Sequence, residues 1–104
     1  MARILKQDAH RMLGSVPGDN VFRCSDGRIL ASMAELKDAL DSMSDETFAF
    51  HVNATKNDFS NWVGDIIRDE KLARDLNKAA GKLQAARSVA KRLAFLQDKL
   101  SQPV

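Results

Sequence analysis

Three side chains in the first two thirds of the chain have the types needed for nucleophilic catalysis: Cys24, His51 and Asp58. A thiolate beside an imidazole is a known arrangement for covalent catalysis. The sequence spacing of these residues does not bring them together, and no catalytic signature is recognisable elsewhere. Cys24 precedes a predicted tight turn, and we interpret it as a small packed residue. We therefore predict no catalytic residues, no enzymatic activity and no cofactor.

A candidate polar site remains around His51, Asn57 and Asp58. The simplest interpretation of Asn57 and Asp58 is a helix N-cap, because their side chains accept hydrogen bonds from the free N–H groups of a first turn. We interpret His51 as a histidine at the core edge, satisfied by a backbone group or a carboxylate. The alternatives are a pH-sensitive contact and a binding site that also contains Lys56.

Metal binding is not indicated by the residue types. One cysteine and two histidines cannot form a structural zinc site of Cys and His ligands. Two acidic clusters could attract a hard cation, but they lack the spacing of a calcium loop and are interpreted as solvated helix ends. The clusters consist of Asp38, Asp41, Asp45 and Glu46, and of Asp65, Asp69 and Glu70.

Charge is distributed unevenly along the 104 residues, although the net charge is only +2. Residues 1–70 contain 8 basic and 12 acidic side chains, a balance of −4. Residues 71–104 contain 8 basic and 2 acidic side chains, a balance of +6. An asymmetry of this kind is a hint of a basic binding face in the C-terminal part.

Turn and cap signals divide the first half of the chain. A short amphipathic helix is predicted within residues 2–13, followed by a Gly/Pro linker over residues 14–20. Asp26-Gly27 between β-prone runs predicts a β-hairpin over residues 21–30. Ser32, with a glutamate three residues later, has the spacing of a capping box and predicts a helix over residues 33–42.

The segment over residues 44–52 fits either a strand or a helix, and we favour the helix. A turn follows over residues 53–57, and then an apolar stripe with the spacing of a helix. That stripe consists of Phe59, Trp62, Val63, Ile66 and Ile67. Asp69 is predicted to cap a further helix.

A heptad pattern extends over about four heptads in the C-terminal third. It consists of Leu72, Leu76, Ala79, Leu83, Ala86, Ala90, Leu93, Gln97 and Leu100. Gly81 is its weak point, so it marks either a turn between two helices or a defect in one long projecting helix. The predicted interaction seam consists of Leu83, Ala86, Ala90, Leu93 and Leu100.

Four cations, Lys82, Arg87, Lys91 and Arg92, are predicted to form a basic face beside this seam. Such a face is either solvated or binds nucleic acid or an acidic protein surface, including that of a second copy. Taken together, the patterns predict a mainly α (α+β) fold. The single domain, residues 1–104, has one short N-terminal β-hairpin and a long C-terminal helix or helical hairpin.

Several segments together resemble a known family. They are Cys24-Ser25-Asp26-Gly27, Glu35-Leu36, Phe50-His51-Val52-Asn53, Lys56 to Val63, Asp65-Ile66-Ile67 and Leu72-Ala73. Over residues 21–76 the chain resembles the DUF5752 family of small archaeal and bacterial domains of unknown function. The resemblance implies an intact small domain of prokaryotic origin and no particular reaction. The family has a small residue near position 68, where this chain has Arg, so the helix exit is expected to differ.

These observations favour a non-enzymatic protein-interaction module that self-associates through its C-terminal heptad helix, most simply as a dimer. The alternative is a nucleic-acid- or ribosome-associated factor that uses the basic helix. No apolar run approaches the roughly 20 residues that a membrane span requires. The lone cysteine and the absence of an apolar leader are typical of a cytoplasmic protein.

Overall fold

The computed structural model describes residues 4–102, so residues 2–3 of the predicted N-terminal helix lie outside the described part. The elements in chain order are α1 (Lys6–Leu13), a 3-10 turn (Gly18–Asn20), β1 (Phe22–Arg23), β2 (Ile29–Leu30), α2 (Met33–Ser42), α3 (Asp45–His51), α4 (Asp58–Trp62), a π turn (Val63–Ile67), α5 (Glu70–Lys78) and α6 (Lys82–Ser101). The described residues thus confirm the predicted fold class, mainly helical with one small antiparallel sheet.

The hairpin forms where the Asp-Gly signal predicts it. Phe22 pairs with Leu30 across the two antiparallel strands. Gly27 has φ of 98°, a left-handed conformation that is strained for residues with a Cβ. The Cys24 N–H donates to the Arg28 carbonyl at 2.9 Å and closes the turn.

Side-chain caps begin the two following helices. The Ser32 hydroxyl accepts the Glu35 N–H at 3.2 Å, and the Glu35 carboxylate in turn accepts the Ala31 N–H at 2.6 Å. Ser44 caps α3 in the same way, by accepting the Thr47 N–H at 3.0 Å. Because such a cap satisfies an N–H that a helix leaves free, it favours helix over strand for this segment. The helix predicted over residues 44–52 is therefore confirmed.

One hydrophobic core joins residues from α1 to α6, and aromatic side chains form its centre. Phe59 is fully buried and lies 5.0 Å from Phe22, measured between ring centroids. Trp62 is also buried, and its indole N–H donates to the Asn20 carbonyl at 2.8 Å. The core thereby fixes the loop before the hairpin against α4.

The apolar stripe that predicted one helix through Ile67 is divided in the structure. After Trp62 the chain widens into the π turn, and Arg68 then adopts a left-handed conformation with φ of 65° and ψ of 43°. The Asp69 N–H donates to the Val63 carbonyl at 3.1 Å and closes this exit. Glycine is the residue usually found at such a position, and another residue costs about 1–3 kcal/mol.

The heptad pattern does not form one long helix, because α5 ends at Lys78 and α6 begins after Gly81. Helix α6 folds back and packs against α1, α2 and α5. The helical-hairpin alternative is therefore the correct one for the C-terminal third. Part of the predicted interaction seam therefore packs against the body of its own chain.

The buried stripe of α6 also differs from the predicted seam. It consists of Ala85, Ala86, Val89, Arg92 and Leu96. Leu83, placed in the seam by its spacing, is instead 66% exposed. Ala90 is half-buried, and Leu93 and Leu100 are partly buried against the core. The reason is that α6 contacts helices on several sides, so its buried face is wider than a heptad seam and rotated from it.

Candidate functional site

The predicted polar site is brought together by the fold, in a tightly bonded form. The buried His51 ring lies between α3 and the hairpin, with its Nδ1 2.9 Å from Asp58 Oδ2. Its Nε2 accepts the backbone N–H of Ser25 at 3.0 Å, so Nδ1 carries the proton and donates it to Asp58. Phe22 and Phe59 pack against the ring. With both nitrogens engaged, His51 has no free nitrogen to act as a base.

Cys24 is close in sequence to this histidine contact, yet its environment opposes thiolate chemistry. The side chain is buried. Burial is the largest cause that raises the pKa of the Cys24 thiol above its ordinary value of 9.0; the Asp26 carboxylate adds to it, and backbone N–H groups of Asp26 and Ser25 oppose it without reversing it. Because the thiolate is the nucleophile, a raised pKa makes the side chain inert near neutral pH. Cys24 therefore serves packing, in agreement with the sequence-based interpretation.

Asn57 and Asp58 also have structural partners. The Asn57 side-chain oxygen caps α4 by accepting the Ser60 N–H at 3.0 Å, and its amide donates to the Leu76 carbonyl at 3.2 Å. Asp58 binds Lys56 as well as His51, each at 2.9 Å. Partial burial alone would raise the pKa of Asp58, but the hydrogen bonds from Lys56 and His51 outweigh it and lower the pKa below 3.8. The predicted polar site is thus a structural hydrogen-bond network that joins α3, α4 and the hairpin.

The four cations of the predicted basic face are separated by the fold. Lys82 donates to the Met43 carbonyl at 2.8 Å and pairs with Asp45 at 3.1 Å. Arg92 turns inward and is only 8% exposed, which corrects its predicted place on a solvated face. Arg87 and Lys91 remain exposed. A basic surface on α6 alone is therefore smaller than the sequence indicates.

A larger basic surface arises where α5 joins α6. An open groove of about 1560 Å³ runs between α1, the π turn, α5 and α6, and we call it the basic groove. Four exposed cations along it make neither a salt bridge nor a side-chain hydrogen bond with another described residue, and we call them the rim cations. They are Arg68, Arg74, Lys78 and Lys91. Two of them are four residues apart on α5, and their charges therefore project from the same side of that helix.

The floor of the basic groove is a buried ion pair beside an aromatic ring. Asp69 is fully buried and accepts two hydrogen bonds from Arg92, from Nε at 2.6 Å and from Nη2 at 2.9 Å. Asp69 also caps α5 by accepting the Leu72 N–H at 3.2 Å. The Arg92 guanidinium lies 5.1 Å from the ring centroid of Phe95, which is 45% exposed. The floor therefore combines a fixed cation with accessible apolar surface.

Carboxylates also line the basic groove, so its charge is mixed. Asp75 pairs with Lys71 at 2.6 Å along α5. Asp65 and Glu70 make no salt bridge with another described residue. Seven cationic and five carboxylate side chains line the groove in all, which leaves it moderately positive. A protein surface can present charges of both signs to such a mixture, whereas a phosphate backbone presents only negative charge.

A surface of opposite charge lies where α2 meets α3, and we call it the acidic patch. It consists of the exposed side chains of Asp38, Asp41, Asp45 and Glu46. Asp41 pairs with Lys37, and Asp45 pairs with Lys82. Asp38 and Glu46 make no salt bridge with another described residue. One chain therefore carries two separated surfaces whose charges complement each other.

Sequence reasoning missed the basic groove because its parts come from distant segments. Asp69 and Arg92 are 23 positions apart, and neither the cap signal nor the charge pattern predicts their pairing. The left-handed backbone at Arg68 has no local signal in the sequence, because arginine is not a residue type typical of that conformation. Phe95 lies outside the heptad seam, so the heptad pattern predicts no role for it.

Within residues 4–102, no group of three or more His, Cys, Asp or Glu side chains has the geometry to hold a metal ion. None of the helices in that range has the length and apolarity needed to cross a membrane. No protein-family model matches the chain, and no curated protein or solved structure is detectably similar to it. The resemblance of residues 21–76 to the DUF5752 family stays a prediction.

Proposed function

We propose that this protein is a non-enzymatic interaction module that self-associates, with the basic groove of one copy receiving the acidic patch of another. The observation that supports this proposal is the presence, on one small chain, of two surfaces of opposite charge that each include exposed charges with no salt bridge to another described residue. In a twofold dimer each copy offers both surfaces, so the contact forms twice. The reactive side chains support a binding role because His51 and Cys24 are committed to packing and hydrogen bonds.

The proposed surface differs from the predicted C-terminal seam. Ala86 is buried within its own chain, and Leu93 and Leu100 are partly covered by the core, so these residues leave only part of their apolar surface to a second copy. Leu83 alone of the five seam residues is strongly exposed. A single leucine offers too little apolar surface for a coiled-coil dimer.

An acidic protein surface fits the basic groove better than nucleic acid does. The unpaired carboxylates of Asp65 and Glu70 would repel a phosphate backbone, whereas a protein surface can place cations against these carboxylates and carboxylates against the rim cations. Phe95 gives the groove an accessible apolar contact, and aromatic side chains are enriched in protein interfaces. Nucleic-acid binding is the alternative that the experiment below must separate.

The association should be weak and salt-dependent. Exposed ion pairs contribute only about 0.2–1 kcal/mol each, so we expect association to be detectable only at low salt and high protein concentration. Screening shortens the Debye length from about 30 Å at 0.01 M salt to about 3 Å at 1 M salt. The dimer should therefore dissociate across this range.

Sedimentation equilibrium at both salt concentrations tests the proposal. The double variant Arg74→Glu with Lys78→Glu should be monomeric at low salt. A matched control, Arg23→Glu with Lys99→Glu, has the same net charge and also reverses one cation in the last turn of a helix. That control should still dimerise.

A chain that is monomeric at about 0.01 M salt and millimolar concentration would contradict the proposal. Equal loss of association in both double variants would also contradict it, because net charge rather than the groove would then be responsible. A monomeric chain that binds a single-stranded oligonucleotide, with binding lost in Arg74→Glu with Lys78→Glu, would favour the nucleic-acid alternative.

A further inference from the structure

Arg92 has one nitrogen that the fold does not use. Nε and Nη2 donate to Asp69, whereas Nη1 makes no hydrogen bond to another described residue. No buried side-chain nitrogen or oxygen among the described residues lacks a partner. Nη1 is therefore accessible to solvent, and Arg92 lines the basic groove. The guanidinium consequently presents a free donor at the groove floor.

The position of this donor is fixed before any ligand arrives. More than nine tenths of the Arg92 side chain is buried, Asp69 holds it through two hydrogen bonds, and the ring of Phe95 lies beside it. An immobilised side chain loses little further entropy when it binds, which is the general advantage of a preorganised site. Exposed lysines and arginines elsewhere on the chain lack this advantage.

The charge around Nη1 favours an anion although Asp69 neutralises Arg92 itself. Lys91 immediately precedes Arg92 on α6, and Arg68 immediately precedes Asp69, so both are adjacent to the ion pair in sequence, and both line the same groove. Glu70 opposes them from the start of α5. With the remaining rim cations included, positive charges exceed negative ones along the groove. A ligand with one or a few carboxylates is therefore accommodated better than the repeating negative charge of a nucleic-acid backbone.

We infer that the groove floor is a carboxylate-binding subsite, in which Arg92 Nη1 donates to a carboxylate whose methylene groups lie against Phe95. The inference rests on the proposed function for the source of that carboxylate, which is the acidic patch of a second copy. A hydrogen bond between two charged groups is stronger than one between neutral groups, so this contact gives the weak dimer its register. The rim cations supply attraction at longer range.

The test separates this subsite from self-association by using a chain that cannot form the proposed dimer. In the variant Asp38→Lys with Glu46→Lys the acidic patch is reversed while the basic groove is unchanged. Citrate is titrated as the carboxylate probe, with sodium chloride at matched ionic strength as the control. The Arg92 Nε–H signal in nitrogen-15 NMR spectra is the readout, because burial in the ion pair protects it from exchange.

We expect a saturable shift of this signal with citrate and none with chloride. In the same background, Arg92→Lys keeps a cation for Asp69 but loses the Nη1 donor, and citrate binding measured through Phe95 backbone signals should weaken by about tenfold or more. Lys91→Gln, which removes charge without removing the donor, should weaken binding less.

The absence of a citrate-specific shift at Arg92 in the Asp38→Lys with Glu46→Lys variant would overturn the subsite, while the sedimentation experiment on the native chain would still decide self-association. Citrate binding that is unchanged in a folded Arg92→Lys variant would also overturn it, because the anion would then be held by the rim cations alone. If Arg92→Lys does not fold, the Arg92 Nε–H titration decides the question by itself.

Discussion

Replacing Arg92 with methionine should destabilise the fold strongly, although the two side chains are of similar length. The change removes both hydrogen bonds to Asp69, which has no exposed surface. Asp69 would then be a buried carboxylate with no opposite charge and with one remaining donor, the Leu72 N–H. Breaking a buried ion pair by removing one partner costs about 3–5 kcal/mol. That cost is a large fraction of the total of about 5–15 kcal/mol that stabilises a domain.

A second change separates the charge effect from lost packing. Asp69→Asn removes the buried charge, and asparagine caps a helix about as well as aspartate does. The double variant Asp69→Asn with Arg92→Met should therefore be more stable than Arg92→Met alone, although it carries one more substitution. Such a reversal of sign is the mark of coupled residues.

Urea unfolding measures all of these free energies, with the fluorescence of the buried Trp62 as the probe. A loss of less than about 1 kcal/mol in Arg92→Met would refute the reasoning, because it would place the ion pair in solvent rather than in the protein interior. A double variant less stable than Arg92→Met would show that packing, not charge, dominates at this position.

Three further predictions follow from other parts of the fold. Arg68→Gly should stabilise the protein by about 1 kcal/mol or more in urea unfolding, because it relieves the left-handed backbone, whereas Arg68→Ala should not. Leu96→Ala, at a site with no exposed surface, should lower the free energy of unfolding by about 2–5 kcal/mol, whereas Leu83→Ala should change it by no more than about 0.5 kcal/mol. Equal losses in the two variants would contradict the observed burial and support the heptad seam instead. Hydrogen bonds hold the pKa of Asp58 below its usual 3.8, so its charge stabilises the fold fully above that value and is lost as the pH falls through the lower folded-state pKa. The difference in free energy of unfolding between the native chain and Asp58→Asn should therefore decrease only in strong acid. A difference that already decreases near neutral pH would contradict this prediction.

Local signals predicted the elements whose cause is itself local. Ser32 and Ser44 cap the helices that follow them, and the turn at Gly27 forms the predicted hairpin. These interactions join residues two to four positions apart, so the sequence pattern contains both partners. The structural roles of His51 and Asn57 were predicted for the same reason: each residue type has a strong default role.

In the C-terminal third, local sequence signals do not predict which residues are buried. A heptad count treats Leu83 as buried and Arg92 as exposed, and the fold reverses both. Burial of Arg92 depends on Asp69, a partner on another helix that no period in α6 can reveal. The π turn from Val63 to Ile67 likewise contains no residue type that signals it. The basic groove, which the Asp69–Arg92 pair and the π turn help to line, could therefore not be predicted from the sequence.

Mixing two variants with opposite defects tests the proposed interface most directly. Arg74→Glu with Lys78→Glu reverses the rim of the groove, and Asp38→Lys with Glu46→Lys reverses the acidic patch. At low salt each double variant alone should be monomeric in sedimentation equilibrium. An equimolar mixture should form a heterodimer, because the two reversed surfaces complement each other at one contact and the two native surfaces at the other. A mixture that remains monomeric, in conditions where the native chain dimerises, would contradict the pairing of groove with acidic patch.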